Sequence, residues 1–409
     1  LKNIVFTPVN SKQFWQNRAL IGGVYKSITK NGLQYKLRKE IEDDAIDFLS
    51  RIKRNKSNFE DSYLENYLYS LAYKIYPNNI GDGRPGILNV KILKDLIPNA
   101  FIYQNGTMFI TTGLLSTINS EEELIAILAH EISHFVLDHS IININKAEKR
   151  KKRAEFWAAF ATGIAVAADI YTAKNNDYYV PGTITMGTSI LAYSIAADFN
   201  ARMGLKYSRE QEMDADASAV ALLKFLDIDH TALSSVLKKI KKHNILSGNY
   251  LALTEEGSHP ALDNRIASIG IPGKFGNENY DKIISFVNSF NAIIEFNNHR
   301  LKNCENLVRR NIKSGVATED DYILLSMVTT FMFDTVEKNL EALEYIKTAK
   351  GLNISPSINM SKQESIILIR LKRYEDAILS FKEYLDDIDN EKLRLTEVKS
   401  SREWSYINN

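Results

Sequence analysis

The pentapeptide His130-Glu131-Ile132-Ser133-His134 constrains this chain more than any other feature. It sits inside INSEEELIAILAHEISHFVLDH, residues 118–139, whose apolar spacing predicts a single amphipathic helix. Ser120 and Glu123 have the spacing of a capping box, and Glu121, Glu122 and Glu123 suit the positive end of a helix dipole. On such a helix His130 and His134, four residues apart, share one face. Two imidazoles so placed can hold one zinc ion, while Glu131, one residue along, points towards a water on the metal.

A two-histidine site needs a third protein ligand. A metzincin would place a histidine six residues after the second one, with a glycine between, but position 140 is Ser140, His139 falls one residue early and position 137 is Leu137. The remaining option is a carboxylate on a second helix, and YSREQEMDADASAVALLKFL, residues 207–226, supplies one. Ser208 with Gln211 has capping-box spacing, and the Ala- and Leu-rich run behind them is helix-forming. Glu212 and Asp216 share a face of that helix. One carboxylate can bind the metal and the other can accept a hydrogen bond from the outer nitrogen of a ligand histidine.

Ser208-Arg209-x-x-Glu212-x-x-Ala215-Asp216 resembles the signature of the gluzincin metallopeptidases that include HtpX, BepA and the CAAX prenyl proteases. NAFIYQNGTMFITTGLL, residues 99–115, is similar to that family's Asn-Ala-Phe strand, glycine turn and Gly-Leu-Leu approach to the active-site helix. Ser258-His259-Pro260 followed by Arg265-Ile266 resembles its His-Pro element. The resemblance spans roughly residues 60–270. Two departures stand out: Ser133 replaces a frequent glycine before the second histidine, and Ile102-Tyr103-Gln104-Asn105-Gly106 replaces the usual tighter turn.

The resemblance implies that His130, His134 and Glu212 bind one zinc per chain, that Glu131 is general base and then general acid, and that Asp216 orients a ligand histidine. It implies substrate contacts along Asn99, Ala100, Phe101 and Gly106, and a packing or metal-supporting place for His139. A tetrahedral oxyanion needs a donor besides the metal, and His259 and Arg265 are the available candidates. His259, in a turn-like Gly-Ser-His-Pro stretch, can also act as a latch on the site. The strand at 106–112 has a further physical use, because extended peptides bind by adding a strand to a sheet edge.

The chain has 409 residues, which predicts two or three domains, and its 44% apolar content supports sizeable cores. A net charge of +1 argues against nucleic acid as the main partner. The single cysteine, Cys304, excludes an intrachain disulfide. The chain begins at Leu1 without a leader-like segment, as a processed form would, and the resemblance favours an exported protein of the bacterial periplasm or cell envelope. Two apolar stretches, residues 156–168 and 180–197, raise the membrane question. The first is short of the roughly 20 residues a span needs and the second is rich in Thr, Ser and Gly. A buried helical hairpin over the active site is the favoured expectation, with membrane spans or peripheral membrane contact as alternatives.

IPGKFGNENYD, residues 271–281, predicts a boundary between a protease domain at 1–276 and an all-helical region at 280–409. Residues 361–390 resemble one tetratricopeptide unit, with Leu371, Tyr374, Ala377 and Phe381 expected between its two helices. Residues 319–350 read as a degenerate copy, since Ala342 precedes Ala377 by close to the ~34-residue period. The expectation is a mainly α (α+β) chain. A helical gluzincin-type domain with a small β-sheet beside the active-site helix precedes a helical repeat region that binds protein partners. The expected activity is zinc-dependent endopeptidase cleavage of unfolded or misassembled proteins. The alternatives are a membrane-embedded relative and a non-catalytic, zinc-stabilised scaffold, and intact Glu131 argues against the latter.

Overall fold

The computed structural model describes residues 52–77, 89–103, 105–148, 207–246, 262–352 and 358–407, with short pieces at 11–12, 14–15, 46 and 48–50. It is mainly helical with one three-stranded sheet, as expected. The described residues fall into two compact units, one through Ile284 and one from Ser285 onward. The stretches 156–168 and 180–197 and the element around His259 lie outside the described residues. Among the described residues no helix is long and apolar enough to cross a membrane.

The first unit opens with α1 (Ser62–Ile75), capped by the Asp61 side chain, and continues into β1 (Asn89–Leu93), β2 (Ala100–Ile102) and β3 (Thr107–Thr111). The strand order is β1-β3-β2, with β1 parallel and β2 antiparallel to β3. β3 lies between β1 and β2, so it is an interior strand rather than the peptide-receiving edge expected at 106–112. Gly106, at φ 85°, closes the β2–β3 turn in a conformation that glycine adopts without steric cost.

Thr111 ends β3 and caps α2 (Thr112–Thr117). Here the chain runs against its own backbone. A Cβ on Gly113 would lie 2.2 Å from the Leu96 carbonyl oxygen, so only glycine fits. Next comes α3 (Glu121–Val136), whose face from Glu123 onward is entirely buried. Ser120 caps it through the Glu123 amide at 3.3 Å. The reciprocal half of the expected capping box is replaced by a bond from the residue before the cap and by tertiary contacts. The Glu123 carboxylate accepts from the Asn119 amide, the Ser235 hydroxyl and the Lys239 ammonium, each at 2.6 Å.

After α3 the chain turns through Asp138, at φ 56°, into α4 (His139–Glu148). The helices α5 (Arg209–Phe225), α6 (Thr231–Leu246), α7 (Leu262–Ile269) and α8 (Glu278–Ile283) complete the unit. The Ser208–Gln211 capping box of α5 forms in full. α3 is the hub, packing against α5, α6, α1 and β2. The Pro/Gly-rich stretch after α7 is tied into this unit. The Asn277 amide donates to the Asn119 carbonyl at 2.9 Å, and the buried Tyr280 hydroxyl donates to the Leu115 carbonyl at 3.0 Å. The first unit therefore runs on through α8 to Ile284.

The second unit contains α9 (Ser285–Asn297), α10 (Leu301–Lys313), α11 (Glu319–Met332), α12 (Val336–Leu352), α13 (Ile358–Arg370) and α14 (Tyr374–Ile407). Consecutive helices pack on one another, with further contacts between α9 and α11 and between α11 and α13. Ala342 and Ala377 are buried in one apolar cluster with Ile346 and Ile367, where small residues let helices approach closely. Leu371 packs against that cluster, but Tyr374 and Phe381, expected between the helices, are 59% and 47% exposed. The contact points of the hairpin are the small and aliphatic positions, and its aromatic residues face outward.

Candidate metal centre

His130 and His134 project from one face of α3, one turn apart, and Glu212 meets them from α5. The Nε2 atoms of the two imidazoles are 3.0 Å apart. Glu212 Oε2 is 3.5 Å from His130 Nε2, and its Oε1 is 3.4 Å from His134 Nε2. Among the described residues this is the group of three side chains that could hold a metal ion. All three are buried, with exposures of 1%, 1% and 0%. A tetrahedral metal with bonds of about 2.0–2.1 Å separates its ligand atoms by about 3.4 Å, close to these three distances. The donor set fits a metal to which the protein gives three ligands.

Each histidine is fixed from behind. His130 Nδ1 lies 2.9 Å from Asp216 Oδ1, in ion-pair contact with that carboxylate. Asp216 is in turn gripped by Arg265, whose Nε and Nη2 donate to its two oxygens at 2.7 and 2.8 Å. Arg265 Nη1 pairs with Glu212, and Nη2 also lies 3.4 Å from His130 Nε2. On the other side, His134 Nδ1 is 2.8 Å from His139 Nδ1. With Nε2 facing the metal position, Nδ1 of His134 carries the proton and donates to His139. The left-handed turn at Asp138 folds His139 back over α3 to make this bond.

The electrostatics follow from burial and pairing. Burial and the nearby Arg265 pull the His130 pKa down, but hydrogen bonds to Asp216 and Glu212 outweigh them and lift it to about 9. Burial opposes ionisation of Asp216, yet Arg265 and the His130 contact hold its pKa below the usual carboxylate range. Burial lowers the His139 pKa to about 4, which keeps it a neutral acceptor at ordinary pH. Glu131, one position from His130 and 2% exposed, contributes to the field that raises the Arg265 pKa.

The structure thus brings His130, Glu131, His134, His139, Glu212, Asp216 and Arg265 into one buried cluster. Arg265, one of the two candidate oxyanion donors, has its guanidinium against Asp216 and Glu212. His259 lies outside the described residues. Asn99 and Ala100 lie at and in β2, the outer strand beside β3, which packs against α3. The Phe101 ring is core, stacked on Phe109 at 4.9 Å, and so offers no side-chain surface to a substrate. Gly106 sits in the β2–β3 turn.

Tyr207 and Gln211 join this cluster without having been singled out for it. The Tyr207 ring stacks on His134 with centroids 3.8 Å apart, and the Gln211 amide donates to the His139 carbonyl at 3.3 Å. The available signal was the position of Tyr207, immediately before an N-cap, where apolar residues brace a helix start.

Two histidines one helical turn apart, a glutamate beside them and a glutamate from a second helix define a metal-dependent hydrolase of the zincin type. Comparison with known proteins narrows this class. Residues 77–271 match the sequence model of peptidase family M48, so that stretch is an M48 peptidase domain and its activity is that of a metalloendopeptidase. It is similar to the mitochondrial metalloendopeptidase OMA1 of Schizosaccharomyces pombe, 25% identical over 275 residues, covering 64% of this chain and 72% of that protein. A beta-barrel assembly-enhancing protease of Vibrio cholerae is 22% identical over 193 residues, covering 47% of this chain and 36% of the relative. Human mitochondrial metalloendopeptidase OMA1 is 30% identical over 111 residues, covering 26% of this chain and 20% of the relative. This chain therefore spans well under half the length of the last two.

Proposed function

We propose that the chain is a zinc-dependent endopeptidase acting on unfolded or misassembled proteins of the bacterial cell envelope. The observation that carries the metal assignment is the buried His130–His134–Glu212 group, with the two Nε2 atoms 3.0 Å apart and one Glu212 oxygen facing each of them at 3.4–3.5 Å. Two imidazoles and a carboxylate with an open position suit zinc. When bound, zinc supplies a water of lowered pKa and polarises the scissile carbonyl. Glu131 takes the proton of the attacking water and returns it to the leaving amide nitrogen. Asp216 faces Nδ1 of His130 and His139 faces Nδ1 of His134, which leaves both Nε2 atoms to bind the metal. Arg265 offsets the two carboxylates it clamps and positions them.

The substrate lies along β2. The Thr111 amide donates to the Asn99 carbonyl at 3.0 Å and the Tyr103 amide donates to the Thr107 carbonyl at 2.9 Å. By alternation, the backbone groups of Ala100 and Ile102 point away from β3. A peptide paired there gains affinity from backbone bonds without strict sequence preference, as unfolded substrates require. The helical hairpins after Ser285, tetratricopeptide-like in their stacking, select protein partners. The envelope setting is supported by the Vibrio cholerae relative, named for beta-barrel assembly.

The test is metal analysis of the purified chain together with cleavage of casein. One equivalent of zinc and loss of cleavage on chelation, restored by zinc, are expected. Zinc-free protein that cleaves at full rate would overturn the assignment.

A further inference from the structure

We propose that Tyr207 is a positioning residue that sets the ring plane of His134 and joins the histidine helix to the glutamate helix; this rests on the metal-centre reading above. An imidazole tethered at Nδ1 by one hydrogen bond keeps freedom to tilt, because the terminal torsion of histidine is broad. Tyr207 removes that freedom. Its ring lies flat on His134, 3.8 Å between centroids at an interplanar angle of 17°. The ring is itself pinned, being 4% exposed with its hydroxyl 3.1 Å from Ser140 Oγ.

The same residue directs the third ligand. Tyr207 immediately precedes Ser208, the N-cap of α5, and Glu212 lies in the first turns of that helix. The segment 207–212 is fastened to the segment 134–140 by the ring stack, by the Tyr207–Ser140 contact and by the Gln211 amide on the His139 carbonyl. Those fastenings bring Glu212 Oε1 to 3.4 Å from His134 Nε2. Binding sites work best when their groups are held within about 10–20° of the productive geometry. The clasp therefore holds Glu212 against His134 at the metal position.

The competing role is plain core packing, since Tyr207 also belongs to an apolar cluster with Phe101, Tyr103 and Phe109. Tyr207→Met separates the two, because a flexible side chain fills the core space but offers no flat face. The full chain is stripped with a chelator and retitrated with zinc at equilibrium, and its cobalt(II) absorption spectrum is recorded. Tyr207→Met should remain folded by circular dichroism, bind zinc about 10- to 100-fold more weakly and show an altered cobalt spectrum. Tyr207→Phe, which keeps the flat ring and loses only the hydroxyl, should return affinity to within about threefold of the parent. Parental affinity and spectrum in Tyr207→Met would overturn the proposal, as would a Tyr207→Met chain that cannot fold, which would assign the ring to the core. Glu212→Ala is measured alongside. Normal zinc binding there would reject the metal centre itself, whereas loss there with parental binding in Tyr207→Met would reject only the positioning role.

Discussion

His130 and His134 stand one turn apart on one helix, yet different chemistry holds each. Behind His130 lies a charged pair, Asp216 clamped at 2.7 and 2.8 Å by Arg265. Behind His134 lies a neutral set, the His139 imidazole at 2.8 Å and the Tyr207 ring at 3.8 Å. The charged flank also carries electrostatic balance. Arg265 pairs there with both Glu212 and Asp216, and so offsets the carboxylates gathered beside His130. The neutral flank adds no charge and fixes geometry alone. The lesson is that cutting the charged flank harms both metal binding and folding, whereas cutting the neutral flank harms metal binding more selectively.

The comparison can be broken at several points. Glu212 faces both histidines, so Glu212→Ala should lose zinc outright in an equilibrium titration. Asp216→Ala should weaken zinc by about 10- to 100-fold. It should also cost about 3 kcal/mol in denaturant unfolding, because Arg265 loses its bidentate partner inside the protein. His139→Ala should weaken zinc by about 10-fold with a smaller loss of stability. If it destabilised the fold more than Asp216→Ala, the contrast between the flanks would be reversed. Gly113→Ala, far from either flank in chemistry, should cost about 1–3 kcal/mol in unfolding through its clash with the Leu96 carbonyl. Zinc affinity of the folded fraction should not change, and a large change would show that the two properties are not separable.

Much of the metal centre was legible because helical periodicity turns spacing into geometry. His130 with His134, and Glu212 with Asp216, are each four apart, and a helix places such pairs on one face. The Ser208–Gln211 capping box was legible for the same local reason. What was not legible depends on distant partners. Glu123 fits the local capping pattern, but Ser235 and Lys239 on another helix draw its carboxylate away. Arg265 lies 49 residues from Asp216, and no local pattern records that pairing. Strand order is equally non-local, and so the strand at 106–112 read as an edge although it lies between two others. In the second unit, Tyr374 and Phe381 match a repeat pattern by position, yet the tight contacts there run through Ala342 and Ala377.

The central claim is that Glu131 does the proton chemistry beside a metal it does not hold. Glu131→Gln tests it most directly, with zinc content and peptide cleavage measured on the same sample. The account predicts one zinc per chain and a rate lower by about 10²- to 10⁴-fold. A zinc-replete Glu131→Gln chain that cleaves at the parental rate would contradict it.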